Sequence, residues 1–190
     1  SFDDERRCIH CQRPVKKTFQ QGYCFPCVKR LAACDLCILK PDRCHFHLNT
    51  CREPEWAQTH CMTDHYVYLA NTSALKVGIT RGSQVPIRWI DQGAVQALPI
   101  FRVSTRRIAG LVESIFSAHV SEITNWRLML QGSPTLVDLK QEAQRLFDLV
   151  SDELDALQQE FGAENIQCLD EVVQSIHYPV TQYPEKIKPL

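Results

Sequence analysis

Tyr66-Val-Tyr-Leu-Ala-Asn-Thr-Ser-Ala-Leu-Lys-Val-Gly-Ile-Thr80 reads as two strands joined by a turn. His65–Ala70 is a compact β-rich run with two tyrosines at alternate positions, Tyr66 and Tyr68. Asn71-Thr-Ser-Ala74 is turn chemistry, and Leu75–Thr80 is a second β-prone run, so the stretch forms a hairpin. Because side chains alternate across a strand, Tyr66 and Tyr68 share one face, with Val67 and Leu69 on the other.

Downstream of the hairpin the pattern changes period. Arg81–Val85 is a loop. Pro86 suits a first helical turn, and Pro86–Ala94 reads as a short helix ending near Gly93. Ala97–Ser104 is apolar and β-prone, a third strand. Ile108–Ile123 reads as a helix with Leu111, Ile115, Phe116, Val120 and Ile123 facing inward. Residues 65–132 are thus a small β-β-α-β-α unit, and the expected fold class is α+β.

Upstream, nine of the ten cysteines lie in the first 61 residues. Six come as Cys-x2-Cys pairs: Cys8/Cys11, Cys24/Cys27 and Cys34/Cys37. The first two pairs are separated by 12 residues, the spacing of a zinc ribbon whose two turns present four thiolates to one tetrahedral ion. Residues 1–64 contain no long amphipathic stretch. Metal binding, rather than a large apolar core, must therefore offset the entropy of ordering them. A disulfide framework is the rival reading; paired Cys-x2-Cys turns without a secretory signal favour metal. A second site would draw on Cys34, Cys37, Cys44, His45, His47, Cys51, His60, Cys61 and His65. Cys34, Cys37, Cys44 and His47 are one compact choice, and Cys51 and Cys61 are able to replace the last two. We expect about two structural Zn²⁺ ions.

Residues 133–190 form an acidic extension. Leu136, Leu139, Ala143, Leu146, Val150, Leu154, Leu157 and Phe161 recur at steps of three and four, and Gly162 is a natural stop. That stripe over 135–161 is narrow enough for a core helix, an antiparallel seam or a docking face for a protein partner. Leu169–Ile176 reads as a second short helix, the end as extended, and Cys168 as an ordinary buried thiol.

Charge is divided along the chain. Residues 66–130 carry seven Lys/Arg against three Asp/Glu, and residues 131–190 carry four against eleven. The basic part suits a phosphate backbone, and the run Arg102, Arg106, Arg107 is either a solvated edge or a set of phosphate contacts. The 44% hydrophobic fraction and the lack of any apolar run near the roughly 18 residues of a membrane span point to a soluble, cytoplasmic protein.

The hairpin, together with the helices and strand downstream of it, resembles the opening of the GIY-YIG nuclease fold. In that family one strand bears a Gly-Ile-Tyr type tripeptide and the next a Tyr-Ile-Gly. Tyr66-Val67-Tyr68 stands at the first and Lys76-Val77-Gly78 at the second. The family's helical arginine falls at Arg88 in Ile87-Arg-Trp-Ile90. Its metal-binding glutamate falls at Glu113, and its later asparagine at Asn125. With the cysteine module, the chain resembles a bacterial branch of this superfamily that carries such a zinc module. The resemblance covers roughly residues 8–130, and that branch extends beyond both ends of this chain, so we expect a piece of a longer protein.

What the resemblance implies is a metal-dependent nucleic-acid phosphodiesterase, an endonuclease whose zinc module helps to bind substrate. Glu113 would hold one Mg²⁺ or Mn²⁺, Arg88 would clamp the phosphate, Tyr66 or Tyr68 would orient or deprotonate water, and Asn125 would hold the geometry. Lys76 stands where the family has tyrosine. That substitution motivates the alternative of an inactive nucleic-acid-binding protein on a nuclease-like fold; a zinc-stapled interaction module is a third reading. The site further requires Tyr68 and Lys76 on one face. Pairing Ala70 with Leu75 would separate them, whereas pairing Tyr68 with Gly78 unites them, and we expect the latter.

Overall fold

A computed structural model describes residues 5–120, 126–132, 135–184 and 187. The helices are α1 (Phe25–Arg30), α2 (Pro54–His60), α3 (Ile87–Asp91), α4 (Arg106–Ser117), α5 (Trp126–Gln131), α6 (Leu139–Leu149) and α7 (Ser151–Phe161). The strands are β1 (His65–Asn71), β2 (Leu75–Arg81), β3 (Gln96–Val103), β4 (Ile166–Cys168) and β5 (Gln174–Ser175). The fold is α+β. One antiparallel sheet runs in the order β2-β1-β3-β4, with the short β5 also paired to β3.

β1 pairs with β2 through Tyr68↔Gly78 and Ala70↔Lys76. This is the register that places Tyr66, Tyr68, Lys76 and Gly78 on one face, because directly opposed residues in an antiparallel pair project to the same side. The pairing of β1 with β3 is interrupted between Val67 and Tyr68. Val67 lies opposite Phe101 and Tyr68 opposite Pro99, so Ile100 is the extra residue of a bulge. Proline has no N–H for a ladder, and a bulge in an inner strand is where it is tolerated.

The two faces of the sheet bury different things. Val67, Leu69, Val77 and Leu98 pack with Ile108, Ala109, Val112 and Phe116 of α4 and with Leu139, Ala143 and Leu146 of α6. Phe101, Phe116 and Phe147 meet edge to face, with ring centroids 5.3–5.6 Å apart, the geometry aromatic quadrupoles prefer. Behind the opposite face, Tyr68, Ala70, Trp89, Ala94 and Ala97 make a smaller cluster.

Several elements differ from the sequence reading. The helix read as Ile108–Ile123 starts at Arg106, where Thr105 caps it by accepting from the Ile108 N–H, and ends at Ser117; Ile123 lies outside the described residues. The acidic 135–161 segment is two helices, broken at the buried Val150 and stopped by Gly162 at φ 89°. Its apolar stripe is spent on its own core, with Leu139, Ala143, Leu146 and Val150 buried and Leu154, Leu157 and Phe161 packed against them. Leu136, the first residue of the stripe, is exposed. Leu169–Ile176 is not a helix, since β5 lies within it. Cys168 is exposed at the sheet edge, not buried.

The cysteine module is fastened to α4. Arg106 donates its backbone N–H to Cys61 O at 2.7 Å and a guanidinium N–H to Ile38 O at 2.7 Å. Gly110 permits the closest approach. A Cβ there would lie 2.5 Å from Pro41 Cβ and 2.6 Å from the Asp42 backbone nitrogen. Backbone cannot yield as a side chain does, so Gly110→Ala should cost about 1–3 kcal/mol in denaturant melts, the usual cost of overpacking. An unchanged melting midpoint would refute the close approach.

Candidate metal centre and tyrosine site

The four thiols of Cys8, Cys11, Cys24 and Cys27 lie within 4.8 Å of one another. Two tight turns put them there. Gln12 N–H donates to Cys8 O at 2.9 Å in the first, and Val28 N–H to Cys24 O at 3.0 Å where α1 begins. The Cys11 and Cys24 sulfurs are 3.7 Å apart, far beyond a disulfide bond. That separation matches the edge of a tetrahedron with about 2.3 Å zinc–sulfur bonds. All ten cysteines are free thiols. Burial works against ionisation of Cys8, yet backbone hydrogen bonds from Cys11, Cys24 and His10 outweigh it and bring the thiol down to about 6. The Cys24 N–H donates to Cys8 Sγ at 3.2 Å. The donor set therefore fits zinc: four soft sulfurs already gathered at tetrahedral spacing.

The remaining cysteines divide unexpectedly. Cys34, read as a partner of Cys37, is buried with Cys8, Cys24, Cys27 and Leu31 instead. Cys37 gathers with Asp35 and His45, their ligand atoms all within 4.8 Å. The Cys37 thiol is pushed up to about 11 by burial first, then by Asp35, Cys44, Cys61 and Cys51. Cys44, Cys51 and Cys61 are felt at Cys37 as charges, whereas His47 is exposed. Asp35 accepts from Arg52 Nε at 2.6 Å, and His45 Nδ1 meets Thr50 Oγ1 at 2.7 Å, leaving Nε2 3.6 Å from Asp35. Cys-x2-Cys spacing misassigns Cys34 because the turn between the two thiols is made of separate 3-10 segments, Ala32–Cys34 and Leu36–Ile38, that send them to different clusters.

The second constellation is built on β1. Tyr68 is fully buried and donates its hydroxyl to Gln92 Oε1 at 2.6 Å. Trp89 lies edge-on to it at 5.9 Å. The phenol crosses β2 at Gly78, where a Cβ would come 2.7 Å from the tyrosine oxygen. A glycine is required at that crossing, which gives Gly78 a role apart from any turn. Burial pushes Tyr68 up to about 12, opposed by the adjacent Arg88 guanidinium and reinforced by the Glu113 carboxylate. Arg88, on α3, lies close enough to hydrogen-bond the phenol, while Glu113, on α4, is felt there as a charge.

Lys76 is half-buried on the strand face of Tyr68. Tyr66 is half-buried one pair further along, lining a cleft of about 440 Å³ with Gly82, Pro86, Trp89, Pro99 and Glu171. Asn125 lies outside the described residues. Arg106 is committed to Ile38, Arg107 lies over the Phe161 ring at 5.3 Å, and Arg102 is paired with Asp64. Two of that basic run are thus structural, and Gln92 and Trp89 are the site residues that sequence reasoning missed.

The family described as "Protein of unknown function (DUF2797)" matches residues 1–190, a span that holds both the thiol cluster and the tyrosine site. The chain belongs to that family. Comparisons with curated proteins and with solved structures return no match. No helix among the described residues is long and apolar enough to cross a membrane. The family description names no activity, so function has to be argued from the site.

Proposed function

We propose that the chain is a metal-dependent nucleic-acid phosphodiesterase of GIY-YIG type, carried on a zinc-stapled module. What supports this reading is the Arg88 guanidinium beside the Tyr68 phenol, with the Glu113 charge felt there, so that β1, α3 and α4 each contribute one group. Those are the positions at which the resembled family keeps its tyrosine, arginine and glutamate. A phenol, a guanidinium and a carboxylate at one sheet edge are what in-line attack on a phosphodiester requires.

Each side chain has a task set by its surroundings. The Tyr68 phenol, held near 12 and bonded to Gln92, stays protonated at neutral pH. Fully buried as it is, it would act through the groups packed around it, which leaves the half-buried Tyr66 to orient or deprotonate water. Arg88 is exposed at the site, so its fork is available for two phosphate oxygens. Lys76 adds a point charge on the same face. Glu113 would hold a Mg²⁺ or Mn²⁺ ion, which supplies Lewis acidity to the leaving oxygen. Supercoiled plasmid incubated with and without Mg²⁺ or Mn²⁺ tests the reading. If no DNA or RNA substrate is cut, the alternative stands: a binding protein on the same fold, with Lys76 in place of tyrosine as its origin.

For zinc we infer two structural ions. Cys8, Cys11, Cys24 and Cys27 hold the first. Cys37, Cys44, Cys51 and Cys61, with Asp35 and His45 alongside, supply the second. Elemental analysis should return about two zinc ions per chain. A zinc-free protein whose mass shows paired disulfides would overturn this.

A further inference from the structure

The first thiol module turns charge and aromatic rings outward together. Residues 5–31 contain seven Lys or Arg side chains against a single acid, Glu5, and all seven are exposed. A zinc tetrathiolate removes only two of the six excess positive charges. Among these cations stand Ile9, Phe19 and Phe25, which are 53%, 37% and 50% exposed. None of the three belongs to the module's buried cluster.

Their arrangement is compact. The Phe19 and Phe25 centroids are 5.6 Å apart, with the rings tilted by 54°. Lys17 Nζ lies 5.3 Å from the Phe19 centroid and Lys29 Nζ 4.7 Å from the Phe25 centroid. Ile9 continues the surface, its N–H donating to Gly22 O at 3.0 Å and its side chain filling the space a Cβ at Gly22 would occupy. Each ring thus carries its own cation, and Glu5 is the one acid of the described residues 5–31.

We propose that this face binds single-stranded nucleic acid, with unpaired bases stacking on Phe19 and Phe25 and phosphates held by Lys17, Lys29 and neighbouring cations. The proposal rests on the reading of the substrate as nucleic acid and narrows it to strands with exposed bases. Charge alone would suit any polyanion. Stacking on a ring is offered by bases, and a duplex keeps its base faces inside, so rings beside cations select a single strand.

The test uses the full chain with Glu113→Gln, so that no probe is consumed, and a fluorescent single strand of roughly 12 nucleotides, within the site size of such platforms. Anisotropy should show tighter binding to the single strand than to the same sequence as a duplex. Phe19→Ala and Phe25→Ala should each weaken single-strand binding about tenfold. Phe25→Leu, which keeps apolar bulk without a π face, should do nearly the same. Lys29→Ala should reduce the slope of log affinity against log salt by about 0.7. Zinc content and melting midpoint establish that each variant is folded.

Wild-type affinity in Phe25→Leu, equal or tighter binding of the duplex, or tighter binding to anionic phosphatidylserine vesicles or to polyglutamate would overturn the proposal. Cleavage is scored separately in the chain with Glu113 intact. Binding that depends on the rings without any cleavage removes only the phosphodiesterase reading. Cleavage with binding indifferent to the rings removes only this platform.

Discussion

Glu113→Gln should abolish metal-dependent strand cleavage while leaving fold and oligonucleotide binding nearly intact. Glutamine keeps the size and hydrogen-bonding capacity of the side chain but loses the charge that would hold a cation. Few carboxylates stand ready to replace it. Residues 66–130 offer only Asp91 and Glu122 besides. Asp91 ends α3, three residues beyond Arg88, and is exposed; Glu122 lies outside the described residues. Lewis-acid stabilisation is worth several kcal/mol, so losing about 4–6 kcal/mol slows the chemical step roughly a thousand- to ten-thousandfold. Binding should hold or strengthen slightly, because the change removes negative charge near phosphate and leaves the basic surfaces intact. Initial rates on a nicked-plasmid gel, beside anisotropy on the same preparation, separate the two effects. Wild-type rates in the variant would rule out Glu113 as the metal ligand. A parallel loss of binding and melting midpoint would make its role structural.

The tyrosine site was legible because its logic is local. Alternation in Tyr66–Ala70 and the spacing from Tyr68 to Gly78 are enough to set the register, and the register decides which side chains share a face. Arg88 and Glu113 could be placed on helices from periodicity, but how close each comes to the phenol depends on how α3 and α4 pack about the sheet, which no local pattern encodes. Gln92 was missed for the same reason, as nothing in Ile90-Asp-Gln-Gly93 marks that amide as the partner of a buried hydroxyl. Periodicity also joined α6 to α7, since Val150 fits the stripe on both sides. The break at Val150 is visible only in its backbone angles. β4 and β5 are too short for alternation to register, and their strand identity comes from pairing with β3. Among the cysteines, spacing found the first four-thiol set. It failed at Cys34, where burial against Leu31 outweighs the adjacency of Cys37.

Removing the first zinc site should unfold the ribbon and leave the sheet standing. The buried cluster of that module consists of Cys8, Cys24, Cys27, Cys34 and Leu31, so three of its five members are thiols of the candidate metal site. Val15, Tyr23 and Val28 add only partial burial. Without an ion there is too little apolar surface to offset the ordering of residues 5–31. Structural zinc contributes about 10–16 kcal/mol of apparent binding free energy, which here is folding free energy. Cys24→Ser removes one of the buried ligands and leaves a hydroxyl that binds zinc poorly, so one of two ions should be lost. The sheet has its own core, in which no thiol takes part. The ribbon is tied instead to the following part of the cysteine module, where Arg52 donates to Val28 O at 2.9 Å and to Leu31 O at 3.4 Å. Hydrogen exchange on the chelated protein or on Cys24→Ser should therefore show protection vanishing over residues 5–31 while β1, β3 and α4 keep theirs. Stepwise chelation should reach this state before the sheet melts. Full protection across 5–31 in Cys24→Ser, or a chelated chain with unchanged exchange and no disulfides, would show that the ribbon folds without its metal.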